Sequence, residues 1–288
     1  MDLRVENISK TYGTTPVLQQ ISFELQPGIY GLLGANGSGK TTLFRIVCGL
    51  LRADSGRVLF NKKDIREQAE SFRAVLGFLP QDFNYYPDFS GLKFMQYIAA
   101  LKGLNSKLAK RRCLELLDFV GLSDVKNNKI RKYSGGMKQR LGIAQTLIND
   151  PEILILDEPT VGLDPKERVK FRKLLSNLSR EKIVILSTHI VSDVESIADE
   201  ILILKDGRLQ TRGTPYELLT EIQGQIWECL VSQAEADQLE NHFLVSNRRN
   251  ESDGVVVKIV SPERPTPVAK QVPASLEDLY LYYFREGG

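Results

Sequence analysis

The stretch of sequence that decides the fold is Gly34-Ala35-Asn36-Gly37-Ser38-Gly39-Lys40-Thr41. It fits the phosphate-binding loop pattern, in which a glycine and any four residues precede Gly-Lys and then Ser or Thr. An apolar run suited to a buried strand precedes it at residues 29–33, and apolar residues at helical spacing follow it over residues 42–51. Strand, glycine loop and helix therefore occur in the order that such a loop requires, and the sequence predicts a nucleotide site here.

The loop residues also predict how a nucleotide would be held. The glycines permit positive φ angles and a close approach of the backbone, so several N–H groups converge at the positive end of a helix. Lys40 would place a charge beside the β- and γ-phosphates, and the Thr41 hydroxyl would bind Mg²⁺. The complete pattern disfavours the alternative of a glycine-rich turn without a ligand. The predicted nucleotide contacts of this segment are Gly34, Ala35, Asn36, Gly37, Ser38, Gly39, Lys40, Thr41 and Thr42.

Length and composition bound the class of protein. The chain has 288 residues, of which 42% are hydrophobic, enough for one large domain or two unequal ones. A formal net charge of +2 provides no basic field, so no nucleic-acid partner is expected. Three cysteines, Cys48, Cys113 and Cys229, have no metal-binding spacing. The N-terminus lacks an apolar signal core and no apolar run approaches ~20 residues, so a cytoplasmic protein is expected.

Polar side chains follow three predicted strands at the point where each strand ends. They are Gln81 after residues 75–79, Asp157 and Glu158 after residues 153–156, and His189 after residues 183–188. Parallel strands bring such residues to one edge of a sheet, where ligands of open α/β folds bind. Adjacent carboxylates repel each other unless a cation compensates. This predicts that Asp157 binds Mg²⁺ and that Glu158 polarises the attacking water.

Between these strands the pattern becomes helical, and we predict an inserted helical subdomain over about residues 82–149. Its helices are predicted at residues 92–104, 109–120 and 137–148. Ser134, Gly135 and Gly136 open the third helix as an N-cap and two glycines, which is either a second anion site or ordinary capping chemistry. The aromatic residues between 83 and 89 are either core or a groove for a partner.

An aromatic residue lies near the phosphate loop in the N-terminal segment. Strands are predicted at residues 3–8 and 17–25, joined by a turn that contains Tyr12. The Tyr12 ring would stack on a base, or it would pack on its own hairpin. The segment alone leaves both interpretations open.

The chain changes character after residue 215. We expect a nucleotide domain over residues 1–215 and a small α+β accessory domain over residues 216–288. The accessory elements are predicted as strands at 226–231, 243–249 and 255–260, a helix at 234–240, a proline-rich linker at 262–273 and a last helix at 276–285. No catalytic grouping is apparent in this part.

Taken together, the motifs of residues 1–215 closely resemble the nucleotide-binding subunits of ABC transporters. The resemblance implies a P-loop NTPase of the ABC type, with a central mostly parallel sheet, an antiparallel β subdomain, the inserted helical subdomain and the C-terminal extension. It implies that Gln81 senses the metal, the water and the membrane partner, that Asp164 lies at a dimer interface, and that His189 contacts the γ-phosphate. Lys40, Gln81, Glu158 and His189 would then form the catalytic group, with Thr41, Gln81 and Asp157 at Mg²⁺.

The resemblance also implies partners. The family signature is most often Leu-Ser-Gly-Gly-Gln, and this chain has Tyr133 and Met137 at its two ends. In the family, two subunits dimerise head to tail with ATP between one phosphate loop and the partner's signature. A homodimer is plausible here because one chain carries all motifs, and a heterodimer is the other possibility.

A transport role follows from the same resemblance. Membrane permease subunits would hold the protein at the inner face of the cell membrane. The signature and the short tail are most similar to bacterial exporters of drugs, antibiotics and bacteriocins. An importer ATPase and a soluble ABC ATPase are the alternatives.

Overall fold

The computed structural model of the chain describes residues 1–81, 83–178 and 181–284. The chain divides into two compact units, the first ending at Gln210 and the second starting at Thr211. The strands, in chain order, are β1 (Leu3–Tyr12), β2 (Thr15–Leu25), β3 (Gly28–Leu33), β4 (Ser55–Phe60), β5 (Lys63–Asp64), β6 (Leu76–Leu79), β7 (Ile153–Asp157), β8 (Ile183–Thr188), β9 (Glu200–Lys205), β10 (Arg208–Gly213), β11 (Ile226–Val231), β12 (Leu244–Glu251), β13 (Gly254–Val260) and β14 (Lys270–Gln271). The helices are α1 (Lys40–Val47), α2 (Ala69–Ala74), α3 (Gly91–Leu101), α4 (Ser106–Phe119), α5 (Gly135–Thr146), α6 (Pro165–Ser176), α7 (Val191–Glu195), α8 (Pro215–Thr220), α9 (Gln233–His242) and α10 (Leu276–Phe284).

The first unit is built on two sheets. The smaller sheet is antiparallel and has the strand order β2-β1-β4-β5. The larger has the order β10-β9-β3-β8-β7-β6, and its strands from β9 to β6 are parallel. Strands β3, β7 and β8 are buried at every residue, as continuous apolar runs require in a sheet covered on both faces. The predicted fold class is confirmed.

The helical subdomain lies between β6 and β7 in the sequence. It consists of α3, α4 and α5, which contact one another. Its predicted start, residue 82, lies outside the described residues. The helices begin one to three residues earlier than the apolar pattern indicates because polar side chains cap them. The Ser90 hydroxyl accepts from Lys93 N at 3.2 Å and the Asn105 side chain accepts from Leu108 N at 2.9 Å.

Three short helices, α2, α7 and α8, were not predicted, because five or six residues are too few for a helical period to emerge. The N-terminal hairpin is longer than predicted. Strand β1 runs through register shifts to Tyr12, and Gly13 makes the turn with a φ of 60°. Tyr12 therefore lies at the end of a strand and not within the turn.

The second unit has one antiparallel sheet with the order β12-β13-β11-β14. Helix α9 packs on it around Ala236 and Leu239. The proline-rich segment 262–273 contains β14, which pairs with β11, so its end belongs to the sheet and is not a free linker. The last predicted helix is present as α10, and its predicted final residue, Arg285, lies outside the described residues.

None of the helices in the described parts of the chain has both the length and the hydropathy needed to cross a membrane.

Candidate nucleotide-binding site

The carboxyl ends of four parallel strands meet at one edge of the larger sheet. The strand order places β3, β8, β7 and β6 side by side in the same direction. The phosphate loop follows β3, His189 follows β8, Glu158 follows β7 and Gln81 lies two residues after β6. The topology thus assembles residues that are more than a hundred positions apart in the sequence.

The phosphate loop has the glycine geometry that its pattern requires, with one difference. Gly37 and Gly39 have φ angles of 82° and 105°, which side chains strongly disfavour. Gly34 does not have a positive φ. Gly34 is required for a steric reason, since an added Cβ would clash with the Ser38 Oγ and would lie 2.6 Å from the Leu204 carbonyl oxygen.

Helix α1 starts directly after this loop, with Gly39 as its N-cap. Leu43 N donates to the Gly39 carbonyl at 2.9 Å. The first N–H groups of an α-helix have no acceptor within the helix. They are suited to bind an anion.

A chain of polar contacts joins the loop to the ends of β7 and β8. The Lys40 ammonium, 6% exposed, donates to the carbonyls of Gly34 at 2.7 Å and Ala35 at 3.2 Å. It also lies 3.4 Å from one Glu158 carboxylate oxygen, and the other oxygen is 3.0 Å from His189 Nδ1. Glu158 is thus held between a cationic side chain and an imidazole.

Asp157 and Glu158 are both buried, at 1% and 7% exposure. Asp157 Oδ1 accepts a hydrogen bond from the Ser187 hydroxyl at 2.6 Å, and Ser187 Oγ accepts one from Glu158 N at 2.9 Å. Asp157 Oδ2 is buried without a hydrogen-bond partner among the described residues. Ser187 was predicted only as a strand residue. A hydroxyl at the end of an otherwise apolar strand was the signal available in the sequence.

A cavity of about 420 Å³ opens on this edge. It is lined by Tyr12, Val17, Asn36, Gly37, Gly39, Lys40, Thr41, Thr42, Gln81 and Glu158. All of these except Val17 were predicted from the sequence as nucleotide or catalytic residues. Asp157 and His189 are not among these lining residues, and the His189 side chain, 42% exposed, contacts the site through Glu158.

Tyr12 is 49% exposed and lines the cavity, and Lys10 Nζ of the same hairpin lies 5.8 Å from the centre of its ring. The strand end that carries it is fixed by Asp54, whose carboxylate accepts from Lys10 Nζ at 2.6 Å and from Thr11 N at 2.7 Å. These hydrogen bonds, that of Lys10 first, lower the pKa of the Asp54 carboxyl below its usual range. Asp54 was not predicted as part of the site.

The residues present fit a divalent cation held together with a phosphate ligand. No group of three or more acidic, histidine or cysteine side chains that could hold a metal occurs in the described ranges. Mg²⁺ commonly takes one or two protein oxygens and completes its shell with phosphate and water. The unpartnered Asp157 Oδ2, with Thr41 and Gln81 at the cavity, matches that kind of site.

Known proteins share both the sequence and this architecture. The model of the ABC transporter family matches residues 18–161. The Nod factor export ATP-binding protein I of Cupriavidus metallidurans is 34% identical over 295 residues, which cover 97% of this chain and 96% of that protein. This chain belongs to the ABC transporter family. It is an ATP-binding and ATP-hydrolysing subunit of that family.

Other ABC proteins extend the comparison. The linearmycin resistance ATP-binding protein LnrL of Bacillus subtilis is 34% identical over 248 residues, covering 85% of this chain and 78% of that protein. The structure of cbiO1 from Clostridium perfringens, part of the ABC transporter complex cbiONQ, has a TM-score of 0.70 and 29% identity, covering 83% of this chain and 94% of that one. A dimeric ATP-binding cassette in a post-hydrolysis state, bound to ADP and Pi, has a TM-score of 0.67 and 27% identity, covering 74% of this chain and 98% of that one.

The ABC signature residues are not among those that line the cavity. Ser134 caps α5, and its hydroxyl accepts from Met137 N at 3.2 Å. Met137 Sδ accepts a weak hydrogen bond from Ser134 N at 3.5 Å. The glutamine of the more frequent signature has an amide oxygen, which could accept a stronger hydrogen bond from the same N–H. An added Cβ on Gly135 would lie 3.7 Å from the Gly162 carbonyl, next to Asp164, which caps α6. The signature therefore lies beside the segment that leads, two residues later, to Asp164.

Proposed function

We propose that this ABC subunit hydrolyses MgATP to drive export through a separate membrane permease. The observation that carries the proposal is the chain of contacts from Lys40 through Glu158 to His189 beside the cavity. A buried carboxylate of this kind, next to a phosphate loop, is placed to act as the base for an attacking water.

In this mechanism the residues have separate roles. Backbone N–H groups of the phosphate loop and Lys40 bind the phosphates, and His189 orients the Glu158 carboxylate that polarises the water. Thr41, Gln81 and Asp157 would hold Mg²⁺, which when bound neutralises charge on the β- and γ-phosphates. Because Lys40 donates to Gly34 and Ala35 and lies beside Glu158, phosphate oxygens would replace these partners and leave Glu158 paired with His189.

A head-to-tail dimer is the assembly that we propose. Ser134, Gly135, Gly136 and Asp164 lie away from the cavity, so a partner subunit would have to supply the signature to its nucleotide. We expect the Glu158→Gln variant with MgATP to elute at about twice the monomer mass of 32.4 kDa. Ser134→Arg in the same background should bind ATP and remain monomeric. Dimerisation of that second variant would contradict the assigned interface.

Export is supported by the relatives, whose names concern Nod factor export and linearmycin resistance. We propose drugs, antibiotics or peptides as the class of substrate and the inner membrane face as the location. An aromatic cluster is a suitable permease contact, since Tyr86, 48% exposed, stacks on Phe89 at 5.0 Å and meets Tyr97 edge-on at 5.4 Å. Copurification with a permease tests the role, and a chain that hydrolyses ATP but never copurifies with one would support a soluble ATPase instead.

Tyr12 is proposed to stack on the adenine. Tyr12→Ala should weaken ATP binding by ~1–3 kcal/mol, the usual contribution of one stacked base, whereas Tyr12→Phe should retain affinity because it keeps the ring. Titration calorimetry with ATP and with inorganic triphosphate measures the difference. The alanine variant should bind triphosphate like the wild type.

Tyr216→Ala, at a tyrosine that is 80% exposed in the second unit, is the matched control. Equal ATP affinity in all variants would remove Tyr12 from the site.

A further inference from the structure

Ser187 joins the two acidic residues of the site through a single buried hydroxyl. It lies in β8 directly opposite Asp157 of β7, and it is 0% exposed. Its hydroxyl donates to Asp157 Oδ1 at 2.6 Å and accepts from Glu158 N at 2.9 Å. One side chain therefore contacts both a carboxylate and the backbone of the next residue.

The bond to Asp157 fixes which carboxylate oxygen remains available. With Oδ1 engaged by Ser187, Oδ2 is the buried atom without a partner in the described residues. The two oxygens of a carboxylate are chemically equivalent, so the hydrogen bond sets the orientation of the group: one oxygen is held by Ser187 and the other is left for a ligand. A buried acceptor without a partner costs about 1–3 kcal/mol, and a ligand at that oxygen would remove this cost.

The bond to Glu158 fixes a strained backbone. Glu158 has a φ of 49°, a left-handed conformation that is uncommon for residues other than glycine. Such conformations cost about 1–3 kcal/mol and persist when neighbouring contacts determine them. Ser187 Oγ accepts a hydrogen bond from the N–H of Glu158. With the backbone in this conformation, the Glu158 carboxylate contacts Lys40 and His189.

We propose that Ser187 is a positioning residue that sets the metal-binding oxygen of Asp157 and the backbone of Glu158 at the same time. The inference rests on the proposed role of Asp157 at Mg²⁺. Ser187 itself touches neither the nucleotide cavity nor the proposed cation site as a ligand. It acts through the Asp157 carboxylate and the Glu158 backbone, so its loss should change the response to Mg²⁺ more than the binding of ATP itself.

The test compares Ser187→Ala and the nearly isosteric Ser187→Cys, a much weaker hydrogen-bond donor, with the wild type. Titration calorimetry measures the affinity for a non-hydrolysable ATP analogue in EDTA and at increasing Mg²⁺. For Ser187→Ala and Ser187→Cys we expect an unchanged affinity for the analogue in EDTA. The Mg²⁺ concentration that gives half of the full increase in affinity should be about 10–100-fold higher than in the wild type, the usual consequence of losing a group that orients a metal ligand. Ser187→Thr, which keeps the hydroxyl, should restore most of the response.

Thr146→Val is the matched control for loss of a buried hydroxyl. Thr146 is 1% exposed and donates only to the Ile143 carbonyl of its own helix, so its removal should leave the Mg²⁺ response unchanged. If Ser187→Ala and Ser187→Cys both respond to Mg²⁺ within twofold of the wild type, the inference is wrong. If the wild type itself shows no response to Mg²⁺, the proposed metal role fails instead, and the two failures are therefore distinguishable.

Discussion

Glu158→Gln should lower the rate of ATP hydrolysis by ~10²–10⁴-fold, the usual contribution of a positioned general base. The substitution keeps the size of the side chain and removes the charge that polarises the water. The carboxylate is buried and ends a central strand, and its two oxygens face Lys40 and His189. Steady-state phosphate release at saturating MgATP measures the effect.

The same Glu158→Gln substitution should not weaken nucleotide binding. In the wild type Lys40 lies 3.4 Å from the Glu158 carboxylate, so an incoming phosphate competes with Glu158 for the same ammonium. Removing that competitor should leave the affinity for ADP equal to that of the wild type or tighter. ADP is the ligand of choice because its binding is not complicated by turnover.

Glu152→Gln is the matched control. Glu152 immediately precedes β7, at the opposite end of the strand from Glu158, and it does not line the cavity. The control makes the same chemical change in the same part of the fold and should hydrolyse ATP at the wild-type rate. A Glu158→Gln protein with wild-type turnover would exclude Glu158 as the base.

Much of the site was predictable because it depends on short patterns linked to strand ends. The apolar runs that became β3, β7 and β8 are buried at every residue, and parallel neighbours must end at a common edge. Gln81, Glu158 and His189 could therefore be placed together without any contact information. The helical insert was predictable for a different reason, since its apolar spacing extends over several turns.

The contacts that orient the site could not be predicted in this way. Ser187 meets Asp157 only because two strands far apart in sequence pair in one register, and sequence spacing does not encode that register. Asp54 likewise reaches Lys10 across paired strands. Local geometry was also hidden. The glycine pattern did not reveal that Gly34 is limited by space and that Glu158, a non-glycine residue, has a positive φ.

Lys40→Met should have two separable effects, on nucleotide affinity and on stability. Methionine keeps most of the apolar stem and removes the ammonium, so ATP loses a buried charged partner. Truncating one member of such a pair costs about 2–5 kcal/mol, or roughly 30- to 4,000-fold in affinity. Titration calorimetry measures this loss, and Lys110→Met, at an exposed lysine of α4, is the control.

The stability effect arises because the Glu158 side chain, 5% exposed, would lose the Lys40 ammonium that lies 3.4 Å away. Removing one partner of a buried ion pair costs up to about 3–5 kcal/mol, and His189 remains beside Glu158, so Lys40→Met should lose at most this much stability and unfold at lower urea concentrations. Far-UV circular dichroism should be used, since the only tryptophan, Trp227, lies in the second unit. Adding Glu158→Gln should restore stability without restoring ATP affinity. If the double variant regains the wild-type affinity for ATP, Lys40 acts only by neutralising Glu158 and does not bind phosphate.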